Sequence, residues 1–416
     1  MKRLSHTIPI GLAILTTFCL QHLAIAAEMS PTVPLELEKP SYVAPWQRYT
    51  GRRWKQIDWK HFSNLRYEVP SPISAYQNIE APIKGDPENG KKLVANRKRG
   101  GGCVACHIFP DMPMPGNIGP DFSSIGMWQR PDVYLFNYIY DPRLFNPNTT
   151  MPPWGAHNIL SKDEIKDIVV YLQTLTEVAE QAPIDDPAKR PIPVKTRDNL
   201  DEFENPAMLS VELGEELFNT LGSKGQSCQS CHVGAVEKVF TTWAATMPKF
   251  ETRLNKVIGI EEFITRHARA TTGAEYLAQS EENLALAIYL RYLANGQAIA
   301  IDQSDANTQA AIKRGKTLMK RKIGQLNRSC ADCHITNVEK WIRGQYLVHR
   351  EGMYDHFPTY RTSRGAIWDI RKRFQWCGAA IRANELPPDA PEYGDIEIYL
   401  ATLNNGRVLN VPGLGH

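Results

Sequence analysis

CVACH (residues 103–107), CQSCH (228–232) and CADCH (330–334) are three copies of one pattern. C-x-x-C-H is the attachment sequence for haem c. Two thiols one helical turn apart can each add to a porphyrin vinyl group, and the adjacent histidine offers its imidazole to the iron. A bare C-x-x-C pair serves redox chemistry or zinc equally well. Three complete copies point instead to three covalently attached haem c groups on Cys103, Cys106, Cys228, Cys231, Cys330 and Cys333. His107, His232 and His334 are then the proximal ligands.

Outward from each motif the surroundings repeat. Upstream lies a short amphipathic stretch: ENGKKLVANRK from Glu88, SVELGEELFNT from Ser210 and AAIKRGKTLMK from Ala310. Downstream, apolar residues at helical spacing predict a closing helix that ends YLQTL (171–175), YLRYL (289–293) or YLATL (399–403). Ser161 and Glu164 form a capping box for the first closing helix. Gly296 and Gly406 stand where the other two should end. Helix, motif, loop with a distal ligand and helix is the plan of a small cytochrome c domain, whose haem supplies much of its core. The fold class expected is therefore mainly α, with three cytochrome c-type domains at 85–178, 206–300 and 301–416. A Pro-rich, aromatic extension (27–84) and a Pro-rich linker (179–205) complete the chain.

Lys2 and Arg3, an apolar run from Ile8 to Leu20 and Ala24-Ile25-Ala26 read as a secretory signal over 1–26. The run is short for a bilayer span, so no stable membrane insertion is expected. A periplasmic location suits an oxidising compartment. The formal charge of +3 falls to +1 without residues 1–26, and nothing suggests nucleic acid.

The sixth ligand decides whether a haem only passes electrons or can bind something. In the first domain Met112 and Met114 follow His107 too closely. Met151, 44 residues on in NTTMPPWG, is the candidate, with Met127 and His157 as alternatives. In the second, His267 and Met247 compete, and His267 is preferred. In the third, His349, Met353, His356 and Cys377 compete. Cys377, in KRFQWCGAAIR (372–382), has no partner in any C-x-x-C motif and lies 43 residues past His334. Arg373, one turn earlier, shares its face, and a guanidinium there favours a thiolate and can hold an oxyanion. A buried structural cysteine beside a solvated arginine face is the blander alternative.

These residues resemble a known family. CVACH, GNIGPDFSSIG (116–126) and PNTTMPPWGAHNILSKDEIKDIVVYL (147–172) resemble SoxX, a monohaem subunit of the thiosulfate-oxidising SoxXA cytochromes. NPAMLSVELGEELF (205–218), CQSCH, ENLALAIYL (282–290), LNRSCADCH (326–334), HFPTYR (356–361), RKRFQWCGAAIRA (371–383) and EYGDIEIYLATL (392–403) resemble the dihaem subunit SoxA. The chain thus looks like a SoxX–SoxA fusion. The resemblance implies an L-cysteine S-thiosulfotransferase that conjugates thiosulfate to a cysteine of the carrier SoxYZ and passes two electrons to a soluble cytochrome c. It also implies that Cys377 and Arg373 are catalytic, with Cys377 ligating the active haem and Met151 the first. Separately, Arg361 or Arg382 is expected beside Arg373 in an anion pocket. His267 departs from the family, which often has cysteine there. Two other readings remain at this stage: a thiosulfate dehydrogenase releasing tetrathionate, and a multihaem protein that only transfers electrons.

Overall fold

The computed structural model describes residues 33–39, 71–98, 102–110, 112–177, 200–236, 238–383 and 385–415. The expected signal segment and most of the expected linker lie outside these residues. Among the described residues eleven α-helices follow in order: α1 (Pro87–Ala95), α2 (Asp132–Tyr140), α3 (Lys162–Thr174), α4 (Leu209–Asn219), α5 (Cys228–Cys231), α6 (Phe240–Trp243), α7 (Ile260–Thr271), α8 (Glu281–Tyr292), α9 (Ala306–Lys320), α10 (Ile370–Ala380) and α11 (Pro391–Leu403). Strands are short. β1 (Lys249–Glu251) pairs with β2 (Lys256–Ile258), and β3 (Trp341–Ile342) with β4 (Gln345–Tyr346). β5 (Thr359–Arg361) lies between antiparallel β6 (Ala366–Trp368) and parallel β7 (Gly413–Gly415).

The helix boundaries follow local chemistry. Asp86 caps α1 through the amides of Glu88 and Asn89, with Pro87 at its first position. Ser161 and Glu164 close the expected capping box on α3, at 2.8 and 3.2 Å. Ser280, Asp305 and Asp369 cap α8, α9 and α10. Gly296 and Gly406 both take φ 84°, the left-handed conformation that ends a helix at little cost to glycine.

Each upstream helix crosses its closing helix at a glycine. A Cβ added to Gly90 would overlap the Asp167 carbonyl and abut Tyr171. Gly214 stands in the same relation to Ala285 and Tyr289, and Gly315 to Asp395 and Tyr399. Only a hydrogen side chain lets backbone meet backbone this closely. Gly214→Ala should therefore lower the unfolding free energy of the holoprotein by about 3 kcal/mol. An unchanged urea midpoint would show that the helices are not in such close contact.

The hydrophobic cores do not divide in three. One cluster holds Val94, Phe109, Phe136, Ile165, Ile168 and Leu172 of the first unit. The last two units, expected as separate domains, share a single core in which Phe218, Met247 and Leu286 join Leu318, Tyr354 and Leu400. A buried ion pair runs between them, Arg371 meeting Glu262 at 3.4 Å, and each partner is held within its own unit, Arg371 by Glu397 at 2.6 Å and Glu262 by Lys256 at 2.7 Å. The described parts of the extension split. Residues 71–84 lie on the first unit, with the Ser74 and Gln77 amides donating to Asp141 and Asn137. Residues 33–39 run along α7, where the Glu36 amide donates to the Arg266 carbonyl at 3.0 Å.

Candidate functional site

In the first two motifs a helical turn aligns cysteine and histidine: the His107 amide donates to the Cys103 carbonyl at 3.0 Å, and His232 to Cys228 at 2.9 Å. His107 Nδ1 donates to the Pro120 carbonyl at 2.9 Å, and His334 Nδ1 to that of Val348 at 3.0 Å. Such a bond fixes the tautomer and leaves Nε2 as the ligating atom. Burial pushes the His107 imidazole down to about 4, so it stays neutral, as a metal ligand must. Burial lowers His334 too. Among the described residues no group of three or more His, Cys, Asp and Glu is placed to hold a bare metal ion.

The first motif opens into a cavity of about 450 Å³ lined by Cys103, Cys106, His107, Met151, Phe109 and Trp154. Thiols, imidazole and thioether around mostly apolar walls are the donor set of a c-type haem with histidine and methionine ligands. The alternatives are engaged elsewhere. Met127 is 63% exposed. His157 uses both nitrogens, Nδ1 donating to the Gln325 carbonyl at 2.7 Å and Nε2 accepting from the Ser71 hydroxyl at 2.6 Å.

In the second unit the His232 and His267 rings lie with centroids 6.0 Å apart and planes tilted by 54°. That leaves room for one metal atom between two ring nitrogens at bond lengths of about 2 Å. His267 Nδ1 donates to the Pro34 carbonyl at 2.9 Å, and Phe263 stacks on the ring at 5.2 Å. The competing Met247 is fully buried in the core.

In the third unit Cys377 lies on α10, within electrostatic range of Cys330 and Cys333 and of the Arg361 guanidinium. Arg373 acts on both His334 and Arg361. Burial pushes Arg361 down to about 9, Arg373 and Arg364 add repulsion, and Cys377 works the other way. A guanidinium resists deprotonation, so this cluster is relieved by an anion rather than by losing a proton. Arg361 Nε and Arg373 Nη1 are buried with no hydrogen-bond partner among the described residues. A Cβ added to Gly378, next to Cys377, would meet nothing within 4 Å, so α10 borders open space there. Arg364 lies over the Trp376 ring at 4.2 Å. The rival histidines face other groups: His349 lies 3.4 Å from Glu339, and buried His356 Nδ1 is 3.0 Å from Asp355.

Arg382 is a correction. It does not join this cluster. It sits at φ 59° just past α10 and bonds Gln325 Oε1 at 2.7 Å and the Lys98 carbonyl at 3.2 Å, bracing the first unit against the third.

A register explains how the second and third units differ. Pro248 and Pro358, Glu251 and Arg361, Phe263 and Arg373, His267 and Cys377, and Tyr289 and Tyr399 are each 110 residues apart. In the second unit Glu251 is satisfied by Arg253 at 2.7 Å and Phe263 covers the imidazole. At the equivalent places the third unit has two arginines around a thiol.

Residues 213–299 match the family described as SoxA/TsdA, cytochrome c domain. Residues 85–172 match cytochrome C oxidase, cbb3-type, subunit III. The L-cysteine S-thiosulfotransferase subunit SoxA of Pseudaminobacter salicylatoxidans is 33% identical over 216 residues, 51% of this chain and 74% of that protein. This chain belongs to the SoxA family. A second SoxA, from Chlorobaculum thiosulfatiphilum, is 30% identical over 216 residues, 51% of this chain and 72% of its own length. The crystal structure of SoxXA from P. pantotrophus aligns with a TM-score of 0.47 at 27% identity, over 51% of this chain and 80% of that one. Two cytochrome c domains are thereby identified in this SoxA-family chain, and such domains carry covalent haem c.

Proposed function

We propose that this SoxA-family chain is an exported, periplasmic thiosulfotransferase with three haem c groups, fused to its own SoxX-like domain, and that it conjugates thiosulfate to a cysteine of a SoxYZ-type carrier. The observation that carries this is the third unit's thiol, Cys377, set beside C-x-x-C-H among three arginines. His107 and Met151, His232 and His267, and His334 and Cys377 would hold the irons. When bound, haem supplies one-electron acceptors that relay charge to a soluble cytochrome c.

Arg373 and Arg361 draw in the thiosulfate dianion and hold its sulfonate oxygens, as charge-assisted donors do. That leaves the terminal sulfur against Cys377. An S–S bond forms between the Cys377 thiolate and the thiosulfate dianion, giving Cys–S–S–SO₃⁻ and releasing two electrons. The carrier thiolate then attacks the sulfur that bears the sulfonate, breaks the bond to Cys377 and leaves with the S–SO₃ unit. Cys377 returns as thiolate and no further electrons move.

Purified holoprotein with thiosulfate, an electron acceptor and a SoxYZ-type carrier should add the S–SO₃ mass to one carrier cysteine. Tetrathionate formed without carrier, with the carrier mass unchanged, would favour the dehydrogenase reading instead. His267→Ala should change the ferric optical spectrum of the second haem while conjugation largely persists, because that unit has an imidazole where the third has Cys377. Loss of conjugation together with unchanged spectra would contradict His267 as a ligand and the second unit as a bystander.

A further inference from the structure

The third unit reaches into the first through one tight hairpin. Ile323 and Arg328 exchange backbone hydrogen bonds at 3.0 and 3.1 Å, and Gly324 and Asn327 turn the chain at positive φ. Leu326 at its tip is 1% exposed and belongs to the first unit's core. Gln325 Nε2 donates to the His157 carbonyl at 2.8 Å, and β3 meets Asn117, where the Trp341 amide donates to Oδ1 at 2.7 Å.

Three side chains of this region converge on Thr149 and Thr150, the two residues before Met151. Lys322 Nζ donates to the Thr149 carbonyl at 2.9 Å. Arg328 Nε donates to the Thr150 carbonyl at 3.2 Å. Asn337 Nδ2 donates to Thr150 Oγ1 at 3.2 Å. Arg328 also places Nη2 3.6 Å from Cys106 Sγ, and it lines the first cavity with Asn337. Its hydrogen bonds go to a carbonyl and a sulfur rather than to a carboxylate. The neighbouring Asp332 is neutralised by Lys322, 2.7 Å from both oxygens. The guanidinium thus keeps its full charge in a buried place.

We propose that Lys322, Arg328 and Asn337 form a clamp that holds the Met151 loop in its ligating position and raises the reduction potential of the first haem. Arg328 is the positioning residue. The proposal rests on Met151 being the axial ligand. A buried cation beside the attachment sulfur favours the reduced iron, whose net charge is lower by one. A loop fixed by three hydrogen bonds from another unit keeps a weak thioether ligand in place. The first haem is then a strong electron acceptor only while the third unit is docked on it, which ties the relay to the assembled pair.

The test uses full-length holoprotein, with potentiometric titration and the long-wavelength charge-transfer band of methionine-ligated ferric haem as readouts. Arg328→Gln should shift the first haem's one-electron equilibrium at least tenfold toward oxidised, about 59 mV lower. Arg328→Lys should recover most of that shift. Thr150→Val, which removes the acceptor for Asn337 from the other side, should weaken the methionine band without changing the charge, and it serves should Arg328→Gln fail to fold. An unshifted potential in folded Arg328→Gln, or an unchanged band in Thr150→Val, overturns the clamp. Met151→Ala separates the two ideas. If it leaves the band intact, the ligand assignment fails. If it abolishes the band while the clamp variants behave as wild type, only the clamp fails.

Discussion

Cys377→Ala is expected to slow thiosulfate conjugation on the order of 10,000-fold while leaving the haem content unchanged, because removing a reacting nucleophile costs at least this much where the rest of the site only binds and orients. Cys377 is half-buried on α10, and its neighbour Gly378 borders open space, so the truncation leaves the core alone. The thermal midpoint should move by no more than a few degrees, since nothing large is left unpacked. The measurement is carrier modification by mass spectrometry, with haem content read from the same sample. Wild-type turnover in this variant would remove the thiol from the chemistry and leave a cytochrome that only carries electrons.

Arg373→Met is expected to lower kcat/KM for thiosulfate on the order of 100- to 1,000-fold, the usual loss when one charge-assisted donor is removed from a developing or bound oxyanion. Arg373 Nη1 is buried and has no hydrogen-bond partner among the described residues, which leaves that donor available to the proposed oxyanion. Methionine keeps an unbranched apolar stem and removes the guanidinium with its charge and donors. Arg373→Lys should restore part of the activity, because a point charge cannot reproduce a fork. The two changes should be strongly non-additive with Cys377→Ala, since all act on one bound anion. Steady-state kinetics with a saturating carrier decides this. An unchanged kcat/KM in Arg373→Met would mean that the oxyanion is held by Arg361 or Arg364 alone.

Much of this arrangement was legible in the sequence. Three C-x-x-C-H motifs, the capping box at Ser161 and the terminal glycines at 296 and 406 are local signals, and each forms as its local chemistry requires. The helix-crossing glycines were in plain view as well, though only their contact with the closing helices shows why Gly90, Gly214 and Gly315 recur. Less legible was the equivalence of His267 and Cys377. The first cysteines of their motifs are 102 residues apart and the two side chains 110, because the third unit carries eight more residues in between, where the β3–β4 hairpin docks on the first unit. Counting forward from the proximal histidine hides that register, whereas counting from the Met247-Pro248 and Phe357-Pro358 pairs reveals it. Arg382 misled because direction cannot be read from a run of basic residues: the chain turns at φ 59° and sends its side chain to Gln325 rather than to Cys377. The Leu326 hairpin was invisible for a different reason. Its partners are His157 and the core around Val94, more than 150 residues away, and no periodicity in IGQLNR announces a contact at that range.

The most direct measurement is a low-temperature electron paramagnetic resonance spectrum of the oxidised full-length holoprotein beside its Cys377→Ala variant. A thiolate is a strong donor that sets its iron apart from irons with histidine–methionine or histidine–histidine ligands. Three low-spin species are expected in the parent, one with the compressed g-spread of thiolate ligation, and only that species should vanish in the variant. Three species of imidazole or thioether type in the parent, unchanged by the substitution, would contradict a thiol seated at the third haem.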